Sequence, residues 1–378
     1  MAALEILDSM LNRLVEKNGS DLHIKSDAPV RARVKGEIVT LSDEKLSGML
    51  VEAIARGVMG SRYAEFEREY EFDTAYVLDA QSRFRVNLYY QLDGIAIVFR
   101  LIPSEIKSFE ALNLPSELNR LADLKRGLVL ITGTTGSGKS TTLATVIEKI
   151  NKTRPLHVIT VEDPIEFVYN DDKSIIEQRG IGMHASNFGK ALRAALREDP
   201  DVIVVGELRD LETAEIVMQA VNTGHLVFAT VHTLDARETI DRMIALFPTK
   251  EQNRVRIDLA TNIEAVISQR LLRGKNGELL PAVEMMFRSM RIEFLILENR
   301  DHEIPDAMAQ ERNSSGSVTF NEALFDLVLQ DRISEETALS YATSPSDLKL
   351  LFTTSSAYQE KIRASEEASA NIEEVTLK

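Results

Sequence analysis

The chain contains no cysteine, which excludes disulfides, thiolate zinc sites and cysteine nucleophiles. Basic residues are also short: 44 Lys and Arg against 59 Asp and Glu leave a formal net charge of -15. Contacts to a phosphodiester backbone need a basic surface, so nucleic acid is not expected as a partner, a local basic groove apart. No apolar run approaches the roughly 18–20 residues of a membrane-spanning helix, and the first residues lack the layout of a signal peptide. The expectation is a cytosolic protein. No internal repeat is visible. At 378 residues the chain suggests two domains, or one domain with a large extension, and either can bury a sizeable core.

What is present is concentrated in one stretch. Gly133-Thr134-Thr135-Gly136-Ser137-Gly138-Lys139-Ser140, followed by Thr141, fits the P-loop pattern. An apolar run, Leu128–Ile131, precedes it as expected of a buried parallel strand. Leu143, Val146, Ile147 and Ile150 follow at helical spacing. Glycines let the backbone wrap a phosphate, and the turn aims its N–H groups inward as an anion nest. The helix N-terminus adds partial positive charge at the same point. Lys139 would reach the β- and γ-phosphates, and the Ser140 hydroxyl would ligate Mg²⁺. A surface turn that matches by chance lacks the flanking strand and helix, so the chain reads as a nucleotide-binding protein.

Around this stretch the pattern changes once. Residues 2–16 have amphipathic helical spacing ended by Asn18-Gly19. Strands follow at 21–24, 30–34 and 37–39, a helix at 42–58, and several antiparallel strands within 70–100. Helix followed by a run of strands predicts an α+β domain over the first hundred residues. From Gly127 strand and helix alternate, with strands at 128–131, 157–161, 202–205 and 226–230, which predicts a parallel sheet covered on both faces. Beyond Arg254 the chain reads mostly helical with one hairpin near 271–283. After Thr353 it is rich in Ser, Ala and Glu, as a frayed tail would be.

Four further groups of residues bear on chemistry. Glu162, Asp163 and Glu166 end the second strand of the sheet, at the edge where open α/β sheets bind ligands. One of them could orient or deprotonate an attacking water, or all three could form a solvated acidic loop. Asp201-Val202-Ile203-Val204-Val205-Gly206-Glu207 has the Walker B layout, with Glu207 placed to hold Mg²⁺ directly or through water. His225 and His232 flank one strand and are either structural or sensors of the γ-phosphate; a zinc site lacks further ligands. Arg83, Arg85 and Arg100 lie in the N-terminal domain, either as a solvated strand face or as arginine fingers for a phosphate held elsewhere.

Taken together, the P-loop GTTGSGKST, the acidic box VEDPIEF, the segment ALREDPDVIVVGELRDLET and the histidine box TGHLVFATVHT resemble, in content and order, the secretion-type ATPases of the PilT/PilU branch. The resemblance spans residues 1–352. It implies a PAS-like domain at 1–102, a linker at 103–115, a RecA-like α/β ATPase domain at 116–352, a tail at 353–378, and a homohexameric ring. It implies ATP and Mg²⁺ on Lys139 and Ser140, Glu166 as the water-activating acid, Glu207 as the Walker B acid, and His225 and His232 as the histidine-box pair. Arg85 and Arg100, with Arg83 beside them, match arginines that reach across to the nucleotide.

The resemblance further implies an inner-membrane pilus platform protein as partner, a location at the cytoplasmic face of that membrane, and pilus retraction with twitching motility as the function. Extension and secretion relatives carry a tetracysteine zinc element, and this chain has no cysteine, which separates it from assembly motors. It also departs from PilT-type motors. Their Ala-Ile-Arg motif is replaced here by Phe287-Arg288-Ser289-Met290-Arg291-Ile292-Glu293-Phe294. A PilU-like accessory ATPase that depends on a paralogous retraction motor therefore stands as the alternative.

Overall fold

The computed structural model describes residues 2–79, 82–103, 105–361 and 363. They form two compact units. The first takes the chain up to Ile106 together with Glu162–Asn170 and Gln178–Ala191; the second takes Lys107–Val161, Asp171–Glu177 and the chain from Leu192 on.

In the first unit the order is α1 (Ala2–Glu16), β1 (Gly19–Lys25), β2 (Ala28–Val34), β3 (Glu37–Leu46), α2 (Gly48–Met59), α3 (Tyr63–Glu69), β4 (Glu71–Val77), β5 (Arg83–Gln91) and β6 (Gly94–Ile102). The strands form one sheet of order β3-β2-β1-β6-β5-β4, antiparallel throughout. Leu7, Leu11 and Leu14 of α1 and Val51, Ile54 and Met59 of α2 pack with Leu22, Val30, Phe84, Val86, Ile97 and Phe99 of the sheet. Burial of each such side chain contributes about 1.5–3 kcal/mol. Alternation along the strands puts Asp21, Arg33, Arg85 and Arg100 on the opposite face.

Helix α1 lies where its periodicity places it. The second helix does not: residues 42–46, expected as helical, continue β3. Register shifts in β2 next to Val30 let Ala28 pair with Leu46, and Leu41 and Leu46 are buried. The helix starts only after Ser47, whose Oγ accepts from Leu50 N at 3.3 Å.

The second unit is built on a seven-stranded sheet. From Gly127 the elements run β7 (Gly127–Thr132), α4 (Lys139–Thr153), β8 (His157–Glu162), β9 (Ile175–Gly180), α5 (Phe188–Ala195), β10 (Val202–Val205), α6 (Leu211–Asn222), β11 (Leu226–Val231), α7 (Ala236–Ala245), α8 (Thr249–Asn262), β12 (Ile263–Arg273) and β13 (Leu279–Phe287), the ends of β8 and β9 and the start of α5 being grouped with the first unit. Six helices follow: α9 (Met290–Leu297), α10 (Ile304–Gln310), α11 (Arg312–Ser315), α12 (Phe320–Leu329), α13 (Glu335–Tyr341) and α14 (Pro345–Thr354). The sheet order is β13-β12-β7-β11-β10-β8-β9. Strands β8, β10, β11, β7 and β12 are parallel neighbours in turn, and β13 closes the edge antiparallel to β12. Every residue of β7, β10 and β11 is buried, which is why these strands read as unbroken apolar runs.

Three stretches differ from the sequence reading. The hairpin expected near 271–283 is longer, starts at Ile263 and joins the main sheet beside β7. Strand β9 has no apolar signature because only part of it is covered. The expected tail begins later than Thr353: helical structure resumes at residues 356–361. Tyr358 is buried, with its ring 4.8 Å from that of Phe352 and 6.2 Å from that of Phe325. Residues 364–378 of that tail lie outside the described residues. Among the described residues no helix is long and apolar enough to cross a membrane. Tyr358→Ala is expected to lower stability by about 2–4 kcal/mol in urea denaturation; an unchanged midpoint would remove this segment from the core.

Candidate nucleotide-binding site

The P-loop joins the carboxyl end of β7 to α4. Gly133, Gly136 and Gly138 have φ of 136°, 79° and 91°, values that L side chains rarely adopt. Space closes two of these positions as well: a Cβ on Gly133 would lie 2.4 Å from the Gln269 carbonyl oxygen and one on Gly138 2.7 Å from Gln269 Nε2. No side chain caps the N-terminus of α4, so its first N–H groups keep their capacity to bind an anion. Lys139 is buried, and its Nζ donates to the Gly133 and Thr134 carbonyls at 2.7 and 3.0 Å. A phosphate would offer this ammonium a charged acceptor in place of neutral ones. The Ser137 hydroxyl is buried in the loop without a hydrogen-bond partner, an orphaned polar group inside the cradle. These features fit a nucleotide phosphate.

The strands beside β7 bring the next residues. Thr132 pairs with Val231 and Val205 with Ala229, so β7, β11 and β10 end along one edge. Glu207 follows β10 and His232 follows β11. One Glu207 oxygen faces His232 Nε2 at 3.2 Å and the other accepts from Arg209. Burial would raise the pKa of Glu207, but the Arg209 hydrogen bond and the charges of His232 and Arg209 outweigh it, and the net shift is downward. The pairing therefore contributes stability above the usual carboxylate range and loses it only as pH falls through the lowered pKa. Both oxygens being engaged, Glu207 fits a metal held through water better than one held directly. Among the described residues no group of three or more His, Asp or Glu could hold a metal by itself. Mg²⁺ is commonly held by one or two protein groups together with phosphates and waters; here Ser140 and, through water, Glu207 would be those groups.

Gln269 on β12 went unnoticed in the sequence. It is buried, its Oε1 accepts from Thr142 Oγ1 at 2.7 Å, and its amide nitrogen packs on Gly138. A pocket of about 310 Å³ opens beside it, lined among others by Asn113, Leu114, Thr141, Thr142 and Leu271. No motif marks Gln269; only the pairing of Ser268 with Thr132 brings it to the loop.

One expected site residue, His225, lies elsewhere. His225 stands at the opposite end of β11 from His232. Its Nδ1 lies 2.9 Å from the Ala220 carbonyl and 3.0 Å from Thr223 Oγ1 at the end of α6, so the structure does not bring it to the P-loop. Glu162 is the last residue of β8, where Val161 pairs with Val205 of β10; with Asp163 and Glu166 it is grouped with the first unit. There Glu162 accepts from Glu166 N and from Gln178 Nε2, both at 3.3 Å, and the Asp163–Pro164 bond is cis.

Arg85 and Arg100 also lie in the first unit, directly opposite each other on β5 and β6. Like charges so placed repel. Arg100 is offset by buried Asp21, to which its Nε donates at 2.7 Å, while Arg85 has the exposed Asp73 at 3.6 Å. Arg100 thus has a structural duty that Arg85 lacks.

Gln269→Leu strands the buried Thr142 hydroxyl. It is expected to cost about 1–3 kcal/mol and to weaken binding of a fluorescent nucleotide roughly tenfold, which is about 1.4 kcal/mol. Unchanged affinity in that titration would remove Gln269 from the site.

Comparison with known proteins places this geometry. The family model described as type II/IV secretion system protein matches residues 2–345. The chain is 40% identical over 331 residues to the type IV pilus retractation ATPase PilT of Pseudomonas aeruginosa, covering 87% of this chain and 96% of that protein. It is 36% identical over 346 residues to the type IV pilus ATPase PilU of the same organism, covering 91% and 90%. A crystal structure of the pilus retraction motor PilT with bound ADP superposes with a TM-score of 0.85 at 39% identity, covering 90% of this chain and 98% of that one. The chain belongs to the type II/IV secretion system protein family and, within it, to the PilT/PilU-type ATPases.

Proposed function

We propose that this ATPase drives type IV pilus retraction and twitching motility as a homohexamer docked on an inner-membrane platform protein from the cytoplasmic side. The observation that carries the reading is the uncapped, lysine-bearing phosphate cradle beside the Glu207–His232 pair, in a chain 40% identical to PilT of Pseudomonas aeruginosa along 87% of its length. On this reading the first unit's sheet and helices are the PAS-like domain and the second unit's sheet is RecA-like. When bound, ATP with Mg²⁺ supplies the γ-phosphoryl group and the counter-charge to it. Lys139 and the loop N–H groups hold the phosphates, and Ser140 and Glu207 hold the metal. Glu166, with Glu162 and Asp163 beside it, orients the attacking water. Arg85, and Arg100 with it, meets the charge that develops in transfer, from a neighbouring subunit. His232 reports the state of Glu207 to its loop.

A second reading, a PilU-like accessory ATPase working with a paralogous motor, is favoured by the region of α9. It lacks the Ala-Ile-Arg sequence and presents Met290, 91% exposed, at its first position.

Lys139→Ala and Glu207→Ala are each expected to lower ATP hydrolysis about 100-fold or more, and hydrolysis near the wild-type rate in either would sink these roles. Arg85→Ala is the cleaner probe of the trans-acting charge, because Arg100→Ala also removes a cationic hydrogen-bond donor from buried Asp21. Deleting the gene alone separates the readings: hyperpiliated, non-retracting cells mark the main motor, and normal retraction marks the accessory protein.

A further inference from the structure

Glu284 is a buried carboxylate that belongs to none of the motifs discussed above. It lies on β13 opposite Ser268 of β12 and is 6% exposed. Its Oε1 accepts from the Ala236 N–H at 2.8 Å and from Ser268 Oγ at 3.3 Å; its Oε2 accepts from the Phe320 N–H at 3.3 Å. Ala236 and Phe320 are the first residues of α7 and α12. One side chain therefore serves two helix N-termini, whose partial positive charges favour its ionised form. Burial opposes that, with Asp235 adding repulsion, and raises its pKa to about 7 against the hydrogen bonds from Ala236, Phe320 and Ser268.

What lies on either side gives the arrangement its meaning. The loop 232–235 is fastened to the first turn of α7. Asp235 accepts from Glu238 N at 2.8 Å, Leu234 N donates to Glu238 Oε2 at 2.8 Å, and the hydroxyls of Thr233 and Thr239 meet at 2.7 Å. That loop begins with His232, which faces Glu207. On the other side, α12 opens with a capping box between Thr319 and Glu322 and packs with α13 and α14 around Leu324, Val328, Ala338, Leu348 and Phe352. Arg270 lies 3.9 Å over the Phe320 ring, and it donates to the Tyr341 carbonyl and to Thr343 Oγ1.

We infer that Glu284 is a positioning residue that couples the His232 loop to the C-terminal helices, holding both helix N-termini so that movement of the loop reaches α12. This rests on the reading of Glu207 and His232 as part of the hydrolytic centre. Glu284 touches no nucleotide. It acts by fixing where His232 stands and by tying that position to α12.

Glu284→Gln keeps the volume, but only its amide oxygen can accept, so it satisfies one helix N-terminus and turns an NH₂ donor on the N–H of the other. The variant is expected to bind labelled ADP within about twofold of wild type and to keep its KM, while kcat falls about tenfold. Hydrogen exchange supplies the readout that a merely structural role would not move. ATP-dependent protection of the Phe320–Ala323 amides, expected in the wild type, disappears in the variant.

Ala236→Pro provides a second route should Glu284→Gln fail to fold. Proline is tolerated at the first helical position, Asp235 before it is already extended at φ -153° and ψ 174°, and the change removes the N–H that Glu284 accepts. The same loss of kcat and of nucleotide-dependent protection is expected. A folded variant of either kind with wild-type kcat and wild-type nucleotide-dependent protection overturns the inference, and so does a lowered melting temperature with both readouts intact. Full activity in Glu207→Ala would instead overturn the underlying site reading. An inactive Glu207→Ala beside a wild-type-like Glu284→Gln removes only the role of Glu284.

Discussion

A phosphate cradle must leave backbone N–H groups unpaired at the end of a strand that is otherwise buried on both faces. Unpaired buried donors are costly, so the surrounding structure has to hold them open. Strand β7, all six residues buried, does this from between β11 and β12. The approach of the Gln269 backbone to Gly133 and of its side chain to Gly138 shapes the loop and leaves room for no side chain there. The uncapped first turn of α4 and buried Lys139 then concentrate positive potential at one point.

Charge management follows from that concentration. Glu207 stays ionised near the loop because Arg209 and His232 hold its two oxygens. In the first unit buried Asp21 is kept charged against its desolvation by Ser20 and Arg100. Arg85 and Arg100 are set against each other across β5 and β6. Like charges so placed repel, and the carboxylates of Asp73 and Asp21 offset them.

Strand β12 joins the site to the rest of the second unit by simple alternation. Gln269 turns to the P-loop, while Ser268 and Arg270 on either side of it turn to Glu284 and Phe320. Both faces of one strand are thus engaged, one with the nucleotide cradle and one with the helices α7 and α12. Their N-termini meet on a single carboxylate, which makes the strand and its partner β13 a direct physical connection between the cradle and the C-terminal layer.

Much of this was legible in sequence, where the cause is local. Helix α1, the P-loop with its flanking strand and helix, and the apolar strand closing at Glu207 depend on periodicity, glycine chemistry and burial over a few residues. The same rules failed where pairing overrides local preference: residues 42–46 join β3 because β2 lies beside them, and Tyr358 is held by aromatic rings from Phe325 and Phe352. His225 and His232 look equivalent as a bracketing pair, and only strand direction decides that His232 alone reaches the edge where β7 and β10 end. Gln269 stands 127 residues from Thr142 and Glu284 48 residues from Ala236. No periodicity or motif spans such distances, so the sequence by itself determined that a phosphate cradle exists. Strand order and register decided which side chains enclose it and what they are tied to.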